Sequence, residues 1–166
     1  MTTMLRAFHG EEATKTKYLE RVAGHRKADE LIHGTGWVGG KGCAIGCTLE
    51  AYDHARYETE LGIPRVIARL EDSIFEGLRN GDAQNWPEQF LSAITPGADL
   101  SMVWPRFALW LLTAPTGPVV RGAARRPDCK AAVERVATLY SRWVETGERP
   151  KASEWRAAAA DAAAAA

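Results

Sequence analysis

His25, Asp29 and His33 stand at i, i+4 and i+8 in a stretch that runs from Glu11 to His33 without a proline. Stepping about 100° per residue from Tyr18 puts all three within one stripe, together with Val22 and Ile32. Two imidazoles and a carboxylate on an apolar stripe point inward. A buried aspartate must then find a partner, and histidine is the nearest on either side. Further along, Cys43 and Cys47 share a face if their segment is helical, and His54 returns to that face. Glu71 lies about 40° from the centre of the Ile67 stripe, while Asp72 and Glu76 fall on its far, exposed side. Imidazole, thiolate and carboxylate are the donors that zinc takes. A carboxylate beside a histidine is the group that orients it.

These residues support a metal or catalytic pocket. His25, His33, Cys47 and His54 would be its ligands, and zinc or another divalent metal its cofactor. Asp29 would orient an imidazole, Glu71 would act as base or extra ligand, and Cys43 would be a nucleophile or ligand. The glycine-rich loop would offer backbone N–H groups to an oxyanion or a phosphate; with Trp37, Gly40, Lys41 and Gly42, and the polar helix beside it, the same loop is the surface through which an interaction protein would meet its partner. Against this stands a structural polar network, which weighs more heavily. Buried cysteine is a small hydrophobe, and Cys-x3-Cys is not the tight knuckle of a structural zinc site. Gly34 to Gly39 matches G-x-G-x-x-G but follows a helix and not a strand, so a dinucleotide site fails its context.

The elements that would position these residues read as helices. Glu11 to His33 is a long amphipathic helix. Gly34 to Gly42 holds five glycines and ends it as a loop. Cys43 to Leu61 resumes a helical pattern that breaks near Tyr52. Gly62 and Pro64 are a stop and a start. Ile63, Ile67, Leu70, Ile74 and Leu78 line one face of the next helix. Asn80 to Asp82 reads as a turn, and Trp86-Pro87 as the opening of a short helix. Asp99 caps a turn. Pro105 opens a buried helix to Leu112, with Trp104 and Trp110 in the core. Ala114 to Arg126 is a surface loop, with Val119-Val120 the lone strand candidate. Pro127 to Val144 forms a helix with Val133, Val136, Tyr140 and Trp143 inward. Ser153 caps a last helix.

The expected fold is all-α, an irregular bundle of six to eight helices with a glycine-rich loop after the first long one. The chain has 166 residues, one domain's worth. Residues 1–148 are expected to form a single helical domain, and 149–166 a linker and an Ala-rich helix or tail without an assigned role. Lys+Arg and Asp+Glu balance at 21 each, which disfavours nucleic acid as a partner. The start of the chain, Met1 to Gly10, has no apolar run long enough for a signal peptide, and no stretch is long enough to cross a bilayer. Three cysteines, an odd number, are not a disulfide framework. A reduced, cytoplasmic protein is expected.

Several strings carry a resemblance. They are Leu5 to Gly10, Gly40 to Thr48, Tyr57 to Pro64 with the helix to Leu78, and Ala98 to Leu112. Over residues 5–112 the chain resembles a family of small uncharacterised proteins from bacteria and their phages, often with an Ala-rich C-terminal extension. The resemblance implies a mobile-element context and a natural alanine tail, and it carries over no catalytic residue. Balanced charge, small size and the lack of a recognised motif point to a binding or interaction protein whose partner is another protein, and the resemblance makes it a phage- or prophage-associated accessory factor. The alternative is a small metal- or thiol-dependent hydrolase with a small-molecule substrate.

Overall fold

The computed structural model describes residues 5–164, the side chain of residue 80 apart; Met1 to Met4 and the last two alanines lie outside the described residues. The fold is all-α. Eight α-helices and one two-stranded hairpin make up its regular structure among the described residues. They fall into two compact units, residues up to Ser101 and residues from Met102.

In the first unit, a short turn over Ala7–Gly10 precedes α1, Glu12–Lys27. Phe8 and His9 in that turn both have left-handed backbone. Backbone bonds from Ala7 N–H to the Ala98 carbonyl (3.0 Å) and from Gly97 N–H to the Ala7 carbonyl (2.7 Å) hold it in place. Gly62 also has positive φ, and a Cβ there would sit 2.0 Å from the Arg6 carbonyl oxygen. Only glycine meets both demands.

The first helix ends at Lys27 and not at His33. Asp29 turns left-handed at φ 57, and the chain then runs extended: Leu31 bridges to Gly42, and Ile32 N–H donates to the Gly42 carbonyl at 2.9 Å. The glycine-rich loop holds a small hairpin, β1 (Trp37–Val38) against β2 (Lys41–Gly42), with Trp37 opposite Gly42. Gly39 and Gly40 both take positive φ between the strands, as a tight two-residue hairpin turn requires. These are strands too short for a period-2 pattern to announce.

Helix α2, Ala44–Leu49, is buried on every side, which its small and apolar residues allow. After a loop, a wide helical turn over Tyr57–Leu61 leads to α3, Arg65–Gly77. Helix α3 buries Ile67, Ala68 and Phe75, but also Glu71 and Asp72. Helix α4, Asn80–Ala93, starts where a turn is expected and carries Pro87 in its interior. Ala83, Pro87 and Leu91 form its buried stripe, and α4 packs on α1. That burial compensates the backbone bond that proline removes.

The second unit contains α5 (Val103–Thr113), α6 (Pro118–Ala123), α7 (Pro127–Thr146) and α8 (Ala152–Ala164). The expected surface loop is thus partly helical, and Val119-Val120 lies in α6. Apart from Pro105 and Pro150, the buried positions are alanines: Ala108, Ala123, Ala132, Ala137 and Ala158. Larger side chains stay half-buried, including Val133, Val136, Tyr140 and Trp143. Trp110 is 60% exposed, so it is not core. Ser153 lies inside α8, and the carboxylate of Glu154 accepts the Lys151 N–H at that helix's start.

Candidate functional site

The chemistry-bearing residues gather where α2 begins and α3 passes it. Cys43 is the residue immediately before α2, in extended conformation. Its N–H donates to the Thr35 carbonyl at 2.7 Å, with the Gly36 carbonyl at 3.3 Å. The Gly36 carbonyl lies so close to α2 that a Cβ on Gly46 would come within 1.8 Å of it. Cys43 is therefore fixed by backbone contacts on both sides.

Helix α3 supplies Asp72 and Glu76, four residues apart and so on one face. Ligand atoms of Cys43, Asp72 and Glu76 all lie within 4.8 Å of one another. The loop after α2 adds two donors to a single carboxylate oxygen: Tyr52 Oη donates to Asp72 Oδ2 at 3.1 Å, and His54 Nε2 lies 3.0 Å from the same atom. The other oxygen, Asp72 Oδ1, is buried and has no hydrogen-bond partner; the residue as a whole is 8% exposed. Both oxygens of Glu76 accept the Gly34 N–H, at 3.1 and 2.9 Å.

Burial, reinforced by the Asp72 carboxylate, pushes the Cys43 thiol up to about 12. It is a thiol at neutral pH and a poor nucleophile by itself. A metal ion would reverse this, because it takes the thiolate directly.

Behind the cluster lies Glu71, 0% exposed, with neither carboxyl oxygen hydrogen-bonded. Burial raises its pKa to about 8 against a lowering by the neighbouring Tyr57 hydroxyl, and the Asp72 charge adds a smaller rise. Tyr57 is likewise pushed well above its usual value by burial and by Glu71. Glu71 is thus a neutral acid in the core, deeper than the boundary position its stripe gives it, and without a path to a solvent-borne substrate it does not fit the expected base or extra ligand. Trp86 Nε1 donates to its backbone carbonyl at 3.1 Å.

The other sequence candidates go elsewhere. Asp29 is exposed in its left-handed turn. His25 meets Glu30, with Nδ1 2.6 Å from Oε2, and lies edge-on to Trp37 at 5.3 Å. His33 is exposed; its Nε2 lies 3.0 Å from the Phe75 carbonyl near the end of α3, and its ring stacks on Phe75. The three do not share a stripe, because the helix stops before Asp29. Cys47 is buried with its thiol toward the Gly42 carbonyl at 3.4 Å, and burial pushes it up to about 12. It does not share a face with Cys43, because Cys43 precedes the helix. Gly40 and Lys41 belong to the hairpin, with Lys41 exposed, and Gly42 lies against Gly36.

Cys43 and His54 alone of the sequence candidates are brought to one carboxylate. The residues that join them, Asp72, Glu76 and Tyr52, are ones the helical wheel sends outward or passes over. The wheel places Asp72 opposite the apolar stripe and so on the surface. In the fold, α2 and the 52–54 segment cover that side too. The Asp72–Glu76 spacing was the available signal.

No family model, no curated protein and no solved structure matches the chain.

Proposed function

We propose that the protein binds a divalent metal ion through Cys43, Asp72 and Glu76, and that zinc is the ion its donors suit. The observation that carries this reading is the Asp72 carboxylate. One oxygen is held by Tyr52 and His54, while the other is buried and unpartnered beside a thiol and a second carboxylate. The nearest donor to that carboxylate besides Tyr52 and His54 is the Cys43 thiol, a weak one, so a cation would satisfy the buried oxygen better. Three protein ligands leave a fourth position for water, the pattern of hydrolytic rather than structural zinc sites. A thiolate and two carboxylates outweigh the charge of a divalent ion, so the centre favours holding the cation over strongly acidifying its water. Metal binding is the function proposed, and hydrolysis at the open position is the activity to assay.

Plasma mass spectrometry of the purified chain tests it. The expected result is close to one zinc per chain, lost in Cys43→Ser and in Asp72→Asn and kept in a His25→Ala, His33→Ala double variant. A wild-type chain that takes up no zinc, or a double variant that loses it while folded, overturns the reading.

A second reading, an accessory protein that binds another protein in a phage-linked setting, has one observation behind it. On α5, Val103 is 42% and Trp110 60% exposed, and Phe107 stacks on Trp110 at 5.9 Å. Their i, i+4, i+7 spacing makes one apolar stripe. A photo-crosslinker placed at position 110 should give a discrete adduct in cells that one at exposed Arg125 does not. Equal adducts at both positions count against it. No helix among the described residues is long and apolar enough to cross a membrane.

A further inference from the structure

We infer that Tyr52 is the positioning residue of this centre, setting the Asp72 carboxylate for metal from outside the ligand set, with the Gly36 backbone as its rest. The inference depends on the metal reading above and goes one shell beyond it.

Tyr52 is 55% exposed, yet its side chain is pinned at three points. Its hydroxyl donates to Asp72 Oδ2 at 3.1 Å. Its ring meets the His54 ring edge-on, with centroids 5.0 Å apart. Its ring carbons lie so near Gly36 that a Cβ there would come within 2.5 Å of Cγ. The phenol always donates to a carboxylate in neutral water, whereas the His54 bond to the same oxygen depends on which ring nitrogen carries the proton. Tyr52 is therefore the dependable donor that ties down Oδ2 and leaves Oδ1 for an ion. Partners of this kind, which hold a ligand without touching the metal, are worth about 10–100-fold in metal affinity.

Gly36 completes the device. It lies in the glycine-rich loop, and its own carbonyl is packed against Gly42 and Gly46. The loop cannot retreat, so any side chain at position 36 must displace the Tyr52 ring. Its φ is not in the left-handed region, so alanine there is limited by contact and not by backbone strain. The absence of a side chain at Gly36 is thus linked to the geometry of Asp72 on another element.

Cobalt(II) titration of the full chain, with a competing chelator, tests this. The thiolate-to-cobalt absorption of Cys43 reports occupancy and the ligand set together. Tyr52→Phe keeps the ring, its rest on Gly36 and its contact with His54. It should weaken cobalt binding by about 10-fold or more, with the absorption band unmoved at saturation and the unfolding midpoint of the metal-free protein unchanged. Gly36→Ala should weaken binding in the wild-type background but add little in the Tyr52→Phe background, since both act through the same hydroxyl. Equal cobalt affinity in wild type and Tyr52→Phe overturns the inference and leaves the metal reading standing. Additive losses in the double variant overturn the role of Gly36. A wild-type chain that shows no cobalt absorption at all overturns the metal reading, and this inference with it.

Discussion

Glu71 shows what burial does to a single group. An ordinary glutamate loses its proton near 4.5, whereas here it keeps it to about 8. Between those values the unfolded chain releases a proton that the folded chain retains. The contribution of this residue to stability is therefore full below about pH 4.5 and falls as pH rises toward 8, by up to about 1.4 kcal/mol per pH unit. Glu71→Gln cannot ionise, so in the metal-free protein it should abolish most of that slope and be the more stable chain at pH 8. Urea unfolding at pH 5, 6.5 and 8 with a chelator present checks this, and parallel curves for the two proteins would refute it. The sequence places Glu71 at the core boundary, about 40° from the centre of a strong apolar stripe, and the fold takes it further in, to full burial. Asp72, one residue on, is missed because a wheel knows one helix and not what covers its other side.

The glycines belong to the scale of elements, since identical residues differ by what approaches them. Gly24 lies inside α1 with nothing within 4 Å of an added Cβ. Gly24→Ala should stabilise the protein by about 0.5–1 kcal/mol, the usual helix-interior difference. Gly46 lies inside α2 with a backbone carbonyl in the place of its Cβ. Gly46→Ala should cost at least about 3 kcal/mol, beyond ordinary overpacking, because a backbone carbonyl cannot rotate away. Thermal unfolding of the two variants should move the midpoint in opposite directions, and a shared sign would refute the packing. Helix α4 teaches the same lesson differently. Asn-Gly-Asp reads locally as a turn and Pro87 as a helix start, yet the buried stripe of Ala83, Pro87 and Leu91 outweighs both signals.

For the molecule as a whole, the two proposed roles fall to different units. Every candidate ligand, and Tyr52 with them, lies before Ser101. The exposed stripe of α5 lies after it. Trp110→Ser should therefore leave zinc content unchanged, while Cys43→Ser removes it without altering crosslinking at position 110. Mass spectrometry of metal content and adducts, run on both variants, separates the two. Loss of metal in Trp110→Ser would mean that the units do not divide the work in this way.

Much of this protein follows from its sequence alone. The all-α class, the helix from Arg65, the long helix from Pro127, the glycine loop and the boundary position of Glu71 all rest on local periodicity and on breakers, which neighbours in the chain suffice to set. The site does not follow in that way. Cys43, Tyr52, His54, Asp72 and Glu76 come from one helix end, one loop and one helix face, with Glu76 33 positions after Cys43. Tertiary packing decides which face of α3 is covered twice and where α1 stops. That choice gathers Cys43 and His54 around Asp72 and sends His25, His33 and Cys47 to separate partners. Periodicity describes one element against an imagined core; a site is made by what the other elements bring to it.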